Sequence, residues 1–213
     1  MIMEIAIKTW THLQLTLVSL FIALIVAVPC GIILAKMRQR RIAALLIRGI
    51  SVMQTVPGLA LIALIIVLLT AVRHIVVLPT TGVFPSTVIL TTYAFIPICN
   101  GVYTGLQQVS RSVLEIADGV GMTSAQKLIW VECPLALPIF MAGMRMALVW
   151  TTGLVTLTSL VGSGGLGDLI LQGLRVMQPK LVLAGAIPAA ILAVFCDWGL
   201  TRVEKWLVCP QPD

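Results

Sequence analysis

The run from Leu13 to Ala35 contains no charged residue, and this feature restricts the chain to a membrane environment. At about 1.5 Å per residue, a helix of this length crosses the roughly 30 Å of a bilayer's hydrocarbon core. The run ends at Lys36-Met-Arg38-Gln-Arg40-Arg41, which places four cations within six residues. Because positive residues collect at the cytoplasmic ends of spanning helices, the sequence predicts an amino terminus outside and a first helix that ends in the cytoplasm.

Further apolar runs have the length of spanning segments. They extend over Gly49 to Val72, Ser86 to Val109, Leu135 to Leu160 and Leu181 to Thr201. Only 10% of the 213 residues are charged and 59% are hydrophobic, which excludes a soluble domain. The sequence therefore predicts an all-α polytopic membrane protein with five transmembrane helices, in which residues 1–213 form a single transmembrane domain. Pro57 within the second run predicts a kink or break in that helix.

The basic residues are distributed unevenly about the predicted membrane. On this topology ten cations lie toward the inside, whereas Lys8, Arg73, Arg175 and Lys180 lie outside. This distribution accounts for the net charge of +6 without a nucleic-acid partner. It predicts a multi-pass protein of the cell inner membrane with a cytoplasmic carboxyl terminus. Residues 1–12 are amphipathic, and we expect His12 and Trp10 to lie at the membrane surface.

The longest polar segment, residues 110–134, separates the third and fourth apolar runs. Ser112 with Glu115, and Thr123 with Gln126, have the spacing of capping boxes, which mark helix starts. Gly119 and Gly121 lie between the two boxes, where the chain must turn. Pro134 either ends the second helix or opens the next one. The segment therefore predicts two short helices that meet at a glycine bend outside the membrane.

This segment resembles the EAA loop of ABC importer permeases. Glu115, Ala117, Gly121 and Pro134 match the family pattern, while Ile116, Val131 and Cys133 replace other apolar positions of it. In that family the loop docks on the ATPase subunit and transmits its movement. The resemblance implies a coupling role for seven residues: Glu115, Ala117, Gly119, Gly121, Met122, Trp130 and Pro134. The alternative from the residues alone is an amphipathic loop with two helices.

Other segments resemble the permeases of osmoprotectant importers, which carry glycine betaine, choline, carnitine and similar quaternary amines. These segments are Gln54 to Pro57, Ala136 to Pro138, Ala142 to Arg145 and Val161 to Asp168. The glycine-rich segment and the loop are also similar to those of methionine-importer permeases, so a methionine or other amino-acid importer is the alternative.

The resemblance implies the fold of a type I ABC importer permease and several partners. They are an ABC ATPase subunit dimer, a second permease copy (identical or paralogous), a periplasmic or lipid-anchored substrate-binding protein and membrane lipid. It also implies that ATP and Mg are bound by the partner ATPase, with no cofactor and no enzymatic activity in this chain. The chain has no GxxxxGK[ST] motif.

Uncharged polar residues within the apolar runs are candidates for lining a translocation pathway. The set is Gln54, Thr55, Tyr93, Asn100, Tyr103, Thr151, Thr152 and Thr156, and Pro57 at the predicted break is added to the pathway candidates. Tyrosine rings attract quaternary ammonium groups by cation–π interaction, at about 0.5–2 kcal/mol, and one cavity could contain both tyrosines. The alternative role for each residue is hydrogen bonding between helices.

Only Arg145 and Asp197 are charged within the predicted hydrocarbon depth. Proton-coupled carriers place paired carboxylates or histidine relays at that depth, so the sequence favours an ATP-driven importer over a secondary carrier, a channel or a membrane-embedded enzyme. Arg145 requires water, a carboxylate or carbonyl groups as partner, and we expect a structural role for it near the inner cavity. Asp197 is predicted to pair locally, next to Thr201 and Arg202.

Overall fold

The computed structural model describes residues 2–72 and 78–207, and within these ranges the chain is helical and contains no strand. The α-helices are α1 (Ile2–Lys36), α2 (Arg40–Val52), α3 (Gly58–Val72), α4 (Val83–Gln107), α5 (Arg111–Gly119), α6 (Ser124–Lys127), α7 (Cys133–Thr158), α8 (Leu166–Arg175) and α9 (Pro179–Leu207). The predicted outer position of Arg73 concerns a residue outside the described ranges.

Four of the helical segments are long and apolar enough to cross a membrane: α1, α4, the continuous helix Ser124–Val161, and α9. The pair formed by Arg40–Thr55 and Gly58–Val72 meets the same criterion but is bent by 108°. Counting this pair as one broken span yields the predicted five. The bend falls at Pro57, whose missing N–H and fixed φ interrupt a helix, so the predicted break is confirmed.

Helix α1 runs without interruption from Ile2 to Lys36. The segment predicted to be amphipathic, residues 1–12, therefore forms the first turns of α1 over the residues described. Its apolar residues Ile2, Ile7 and Trp10 are exposed, whereas the buried face of α1 begins at His12 and continues through Leu15 and Leu20. Trp10 is 61% exposed, as expected for an interfacial residue, whereas His12 is completely buried.

Helix α4 lies between α1 and α7 and packs most extensively against these two. Glycines bring α4 and α7 into close contact. A Cβ on Gly105 would lie 2.8 Å from the carbonyl oxygen of Ala136, and a Cβ on Gly143 would lie 2.5 Å from that of Pro97. Small residues spaced four apart, such as Gly101 and Gly105, allow membrane helices to approach in this way.

The glycine-rich segment after α7 leads into α8, a short helix that the sequence analysis did not predict. Gly162, Gly164 and Gly165 all have positive φ, and α8 begins directly after them. Helix α8 packs against α9. The Asp168 carboxylate on α8 also accepts a hydrogen bond from the Lys8 ammonium of α1, at 2.6 Å. This ion pair fixes the α7–α9 connection against the first turns of α1.

Candidate coupling loop and translocation pathway

The turn between α5 and α6 has the geometry of a Schellman motif. The N–H of Met122 donates to the carbonyl of Ala117 at 3.1 Å, and that of Gly121 donates to Asp118 at 3.0 Å. This pattern requires a left-handed residue at the position of Gly121, where φ is +80°. Gly119 instead remains helical as the last residue of α5. Of the two glycines predicted to form the bend, Gly121 alone supplies the turn.

The start of α6 confirms the predicted capping box at Thr123 and Gln126. The Thr123 hydroxyl accepts from the Gln126 N–H, and the Gln126 side chain accepts from the Thr123 N–H. The predicted box at Ser112 and Glu115 is wrong. Helix α5 begins at Arg111 with Ser110 as its N-cap and no side-chain cap. Ser112 therefore lies inside the first turn rather than at the cap.

The second helix of the loop passes into α7 without a break. A π-helical segment, Leu128–Glu132, connects α6 to α7. The N–H of Cys133 donates to the carbonyl of Leu128, five residues earlier. This wider turn accommodates Pro134, which has no N–H to donate and whose ring clashes with the carbonyl of the preceding turn in a regular helix. Of the two predicted roles for Pro134, the structure shows the second: it opens the next helix.

The loop presents apolar side chains on its surface. Trp130 is 75% exposed, Val120 68% and Ile116 67%, and Glu115 is also exposed. Ala117, by contrast, is buried. A shallow cavity of about 350 Å³ lies between α5 and α6, lined by Val120, Gly121, Met122, Gln126 and Trp130. Exposed aromatic and aliphatic groups beside a concave surface are features of a protein-binding site.

Two ion pairs hold the loop in place. The Lys127 ammonium pairs with the Asp118 carboxylate across the glycine turn. Glu132, in the π-helical segment, is buried and pairs through both carboxylate oxygens with Lys36 at the end of α1. No motif or spacing in the sequence indicated a role for Glu132. The two pairs connect α5 to α6, and the base of the loop to the first spanning helix.

Several predicted pathway residues meet at the break between α2 and α3. The Tyr93 hydroxyl donates to the Val56 carbonyl at 2.9 Å, and the Asn100 amide donates to the Ser51 hydroxyl at 2.9 Å. These bonds fix the end of α2 and the residue before Pro57 against α4. Thr55 and Pro57 are exposed at the break and Gln54 is half-buried.

The remaining pathway candidates lie elsewhere. Thr151 and Thr152 are completely or almost completely buried inside the subunit. The Thr156 hydroxyl is half-buried and donates to Gly153 at 2.6 Å. Tyr103 packs against the apolar cluster that contains α1 residues such as Leu34, while Tyr93 packs against a separate cluster around α3. Within the described part of this subunit, the two tyrosines therefore pack against different clusters.

His12 is a structural residue in this fold. Its Nε2 atom lies 2.9 Å from the carbonyl oxygen of Thr152, which joins α1 to α7. The Thr152 hydroxyl donates to the Leu148 carbonyl, so His12 is bound by the backbone of Thr152 and not by its side chain. The predicted surface position of His12 is therefore wrong, because its side chain is completely buried in the contact with α7.

Arg145 has a carboxylate partner on α9. Its Nε and Nη2 atoms donate to the two carboxylate oxygens of Asp197 at 3.0 and 3.1 Å, and Glu204 lies 3.9 Å from its Nη1. The predicted local pairing of Asp197 with Arg202 is wrong, since the Arg202 guanidinium stacks over the Trp198 ring at 4.7 Å. The pair gives Arg145 a structural role, as expected, and joins α7 to α9.

Comparison with known proteins identifies the family. Residues 27–208 match the family described as the binding-protein-dependent transport system inner membrane component. This chain belongs to that family. As such a permease, it is the membrane-spanning component of an ABC transporter, a multi-pass protein that works with ATPase and substrate-binding partners.

Curated relatives of the permease align along nearly its whole length. The choline transport system permease protein OpuBB of Bacillus subtilis (strain 168) is 37% identical over 204 residues, which cover 96% of this chain and 88% of the relative. The carnitine transport permease protein OpuCB of Listeria monocytogenes is 37% identical over 201 residues, with coverage of 94% and 87%. The osmoprotectant import permease protein OsmW of Salmonella typhimurium is 32% identical over 200 residues, with coverage of 94% and 90%.

Solved structures identify the fold of the permease. Two inward-facing crystal forms of the MetNI methionine ABC transporter align with TM-scores of 0.81 and 0.85. The aligned regions cover 94% of both chains in the first case and 98% in the second, at 22% and 21% identity. The permease therefore has the all-α fold of a type I ABC importer subunit, with the two-helix loop between its spanning helices.

Proposed function

We propose that this permease imports a small quaternary-amine osmoprotectant such as glycine betaine, choline or carnitine. An external substrate-binding protein delivers the solute, and an ATPase dimer that binds ATP and Mg drives its passage between two permease copies. The names of the curated relatives, which extend over nearly the whole chain, support this substrate class. The chemistry of ATP hydrolysis belongs to the partner, and this chain supplies the membrane path and the loop.

The geometry of the loop carries the proposal. Its first helix ends in a turn that backbone hydrogen bonds define at Gly121, and its second helix is capped at Thr123. The Glu132–Lys36 pair then holds the base of the loop against α1. Exposed Trp130 and Ile116 supply the contact surface for the ATPase. A rigid, anchored and partly apolar loop is suited to receive a mechanical movement from a partner.

The break between α2 and α3 is the part of the proposed pathway that the structure favours most. It exposes Thr55 and Pro57, with Gln54 beside them, and each is uncharged. A neutral polar surface hydrates a zwitterion or a cation without binding it tightly, which suits rapid passage. Tyr93 and Asn100 support this surface by holding the break in position. Arg145 does not bind solute in this scheme, because Asp197 occupies its guanidinium.

A transport assay with purified components tests this function. The permease is reconstituted into liposomes with its ATPase, its binding protein and enclosed ATP, and the uptake of radiolabelled choline, glycine betaine, carnitine and methionine is compared. We expect ATP-dependent uptake of at least one quaternary amine and none of methionine. Liposomes that contain the permease without the ATPase are the control.

Two results would contradict the proposal. Uptake by the permease alone along a gradient would identify it as a secondary carrier or channel. ATP-driven uptake of methionine, with no response to quaternary amines, would favour the second candidate, a methionine importer. The fold similarity to MetNI motivates that candidate.

A further inference from the structure

A basic cavity lies beside the coupling loop, where the end of α1 meets the beginnings of α2 and α5. It has a volume of about 360 Å³, within the roughly 300–1,000 Å³ of small-molecule sites. Four cations line it, namely Lys36, Arg38, Arg40 and Arg111, together with one carboxylate, Glu132. Glu132 is already paired with Lys36. Among the described residues, the three arginines form no ion pair, so the cavity carries an uncompensated positive charge.

Helix geometry adds to this positive field. Arg40 is the first residue of α2 and Arg111 the first residue of α5, and neither helix has a side-chain cap. The N–H groups at a helix start lack partners and carry a partial positive charge. Two such helix starts therefore lie at the wall of one cavity that already contains four cations. Arginine forks and helix N-termini both favour phosphate oxygens as partners.

An apolar groove adjoins the basic cavity. It has a volume of about 190 Å³ and lies between α1, α4 and α7. Val28, Ile32 and Phe140 are among its lining residues. Leu106 lines both the groove and the basic cavity, and Glu132 of the cavity directly precedes Cys133 of the groove. A single ligand with an anionic group and a hydrocarbon chain could therefore occupy both spaces.

The surroundings favour a ligand from the membrane. Helix α2, which begins at the cavity, exposes Leu45 at 65%, Leu46 at 47% and Ile42 at 46%. Apolar side chains beside a cluster of arginines are typical of a helix at the surface of a membrane that contains anionic lipid. The cavity also lies at the end of α1, a helix long enough to span the bilayer, which is the depth of lipid headgroups.

We propose that this composite site binds an anionic phospholipid, with its phosphate in the basic cavity among Arg38, Arg40 and Arg111 and an acyl chain in the apolar groove. Bound there, the lipid connects the end of α1 to the base of the coupling loop through the cavity that Lys36 and Glu132 share. The site is separate from the break between α2 and α3, and it does not depend on which solute the permease carries.

Lipid retention by the assembled transporter tests this proposal. The permease–ATPase complex is exchanged into nanodiscs of phosphatidylcholine with a small fraction of phosphatidylglycerol, extracted with mild detergent and analysed by native mass spectrometry. We expect the wild type to retain phosphatidylglycerol. The triple variant Arg38→Gln, Arg40→Gln, Arg111→Gln should retain roughly tenfold less phosphatidylglycerol, since each cation near the headgroups contributes to binding. Arg48→Gln, on the same helix α2 but outside the cavity, is the matched control and should retain it normally.

A second measurement separates a lipid from a free phosphate. Equilibrium dialysis of the same complex in pure phosphatidylcholine nanodiscs uses radiolabelled glycerol 1-phosphate, which has the phosphate but no acyl chain. We expect no saturable binding at concentrations at which phosphatidylglycerol is retained. The proposal is overturned by equal retention in the wild type and the triple variant, by an equal loss in Arg48→Gln, or by glycerol phosphate binding as tightly as the lipid. It is also overturned if the complex retains no anionic lipid, as expected if the ATPase covers the cavity.

Discussion

Gly121 determines the direction of the second loop helix. Its φ of +80° is accessible to glycine at no cost, but a β-branched residue pays about 1–2 kcal/mol or more there. The hydrogen bonds from Gly121 to Asp118 and from Met122 to Ala117 depend on this conformation. A change of φ at one residue therefore moves α6 relative to α5.

We predict that Gly121→Val uncouples ATP hydrolysis from transport. The variant complex should keep its ATPase activity in detergent but lose most of its ATP-dependent uptake in liposomes, because the loop no longer presents its two helices in the same arrangement. Gly121→Asn is the control, since asparagine tolerates the left-handed region, and it should transport. Normal uptake by the valine variant would show that the turn does not position the loop.

The Lys36–Glu132 pair is asymmetric in exposure, and this asymmetry has consequences for stability. The Glu132 side chain is 4% exposed, whereas that of Lys36 is 44% exposed. Removing the lysine leaves a buried carboxylate without a partner, which costs about 3–5 kcal/mol. Removing the charge of the glutamate leaves an ammonium that water can reach.

Lys36→Met should therefore destabilise the permease more than Glu132→Gln. We expect a loss of about 3 kcal/mol for the lysine variant and about 1 kcal/mol for the glutamine variant, measured as a lower unfolding midpoint of the purified complex. Lys8→Met, which removes a partly exposed pair with Asp168, is a control with a smaller expected effect. An equal loss for the two variants would contradict the burial argument.

At the residue scale, the contacts that the sequence predicts are the local ones. Thr123 and Gln126 are three residues apart and form the predicted capping box because α6 begins directly after Thr123. The same spacing at Ser112 and Glu115 forms no box, because Ser110 is the N-cap of α5. His12 and Thr152 are 140 residues apart, and Arg145 and Asp197 are 52 apart. No periodicity of one helix indicates which residue of another will face it. The partners of these buried or charged groups could therefore not be predicted.

At the scale of elements, contact between α4 and α7 depends on the absence of side chains. Gly105 and Gly143 leave no room for a Cβ, since one at either position would meet a backbone carbonyl of the other helix. In lipid, close packing of this kind replaces the hydrophobic effect as the force between helices. The α4–α7 contact is therefore sensitive to single substitutions.

We predict that Gly143→Leu prevents the spanning helices from packing. The variant should aggregate or be degraded, as measured by fluorescence-detected size-exclusion chromatography of a tagged protein in detergent. Gly153→Leu is a matched control on the same helix, because nothing lies within 4 Å of a Cβ at that position. The prediction fails if both variants elute as the wild type does.

The apolar runs predicted the spanning helices because length and hydropathy are properties of a continuous segment. They did not predict α8, which has ten residues and mixes polar with apolar positions. Its buried residues Leu166, Leu169 and Gly173 have helical spacing, and this was the available signal. The π-helical segment before Pro134 could not be predicted either, since Pro134 was its only sequence signal. The wider turn arises because α6 continues into α7 without a break.

At the scale of the whole molecule, charged residues form ion pairs at both ends of α1. Lys8 pairs with Asp168 near its start, and Lys36 pairs with Glu132 at its end. The second end also carries the arginine-rich connection and the coupling loop. A predominance of positive charge at one end favours a cytoplasmic location for that end. We infer from this that the amino terminus is outside and the carboxyl end of α9 is inside.

Cysteine labelling in intact cells tests this orientation. In a variant whose native cysteines are replaced, Ser124→Cys in the loop should react with a membrane-impermeant maleimide only after permeabilisation. Gln178→Cys, in the exposed connection between α8 and α9, should react in intact spheroplasts. The reverse pattern would invert the topology, and reaction of both sites in intact spheroplasts would contradict the assignment of the loop to the cytoplasm.

The uninterrupted helix from Ser124 to Val161 has a mechanical consequence. Its 38 residues form one continuous helical segment, about 57 Å long at the rise of an α-helix, with the exposed Trp130 near one end and the glycine-rich connection to α8 at the other. Under the proposed coupling role, a displacement at Trp130 passes along this segment toward the opposite surface of the membrane. The π-helical residues Leu128–Glu132 and Pro138 are the places where the segment can bend and absorb part of that displacement.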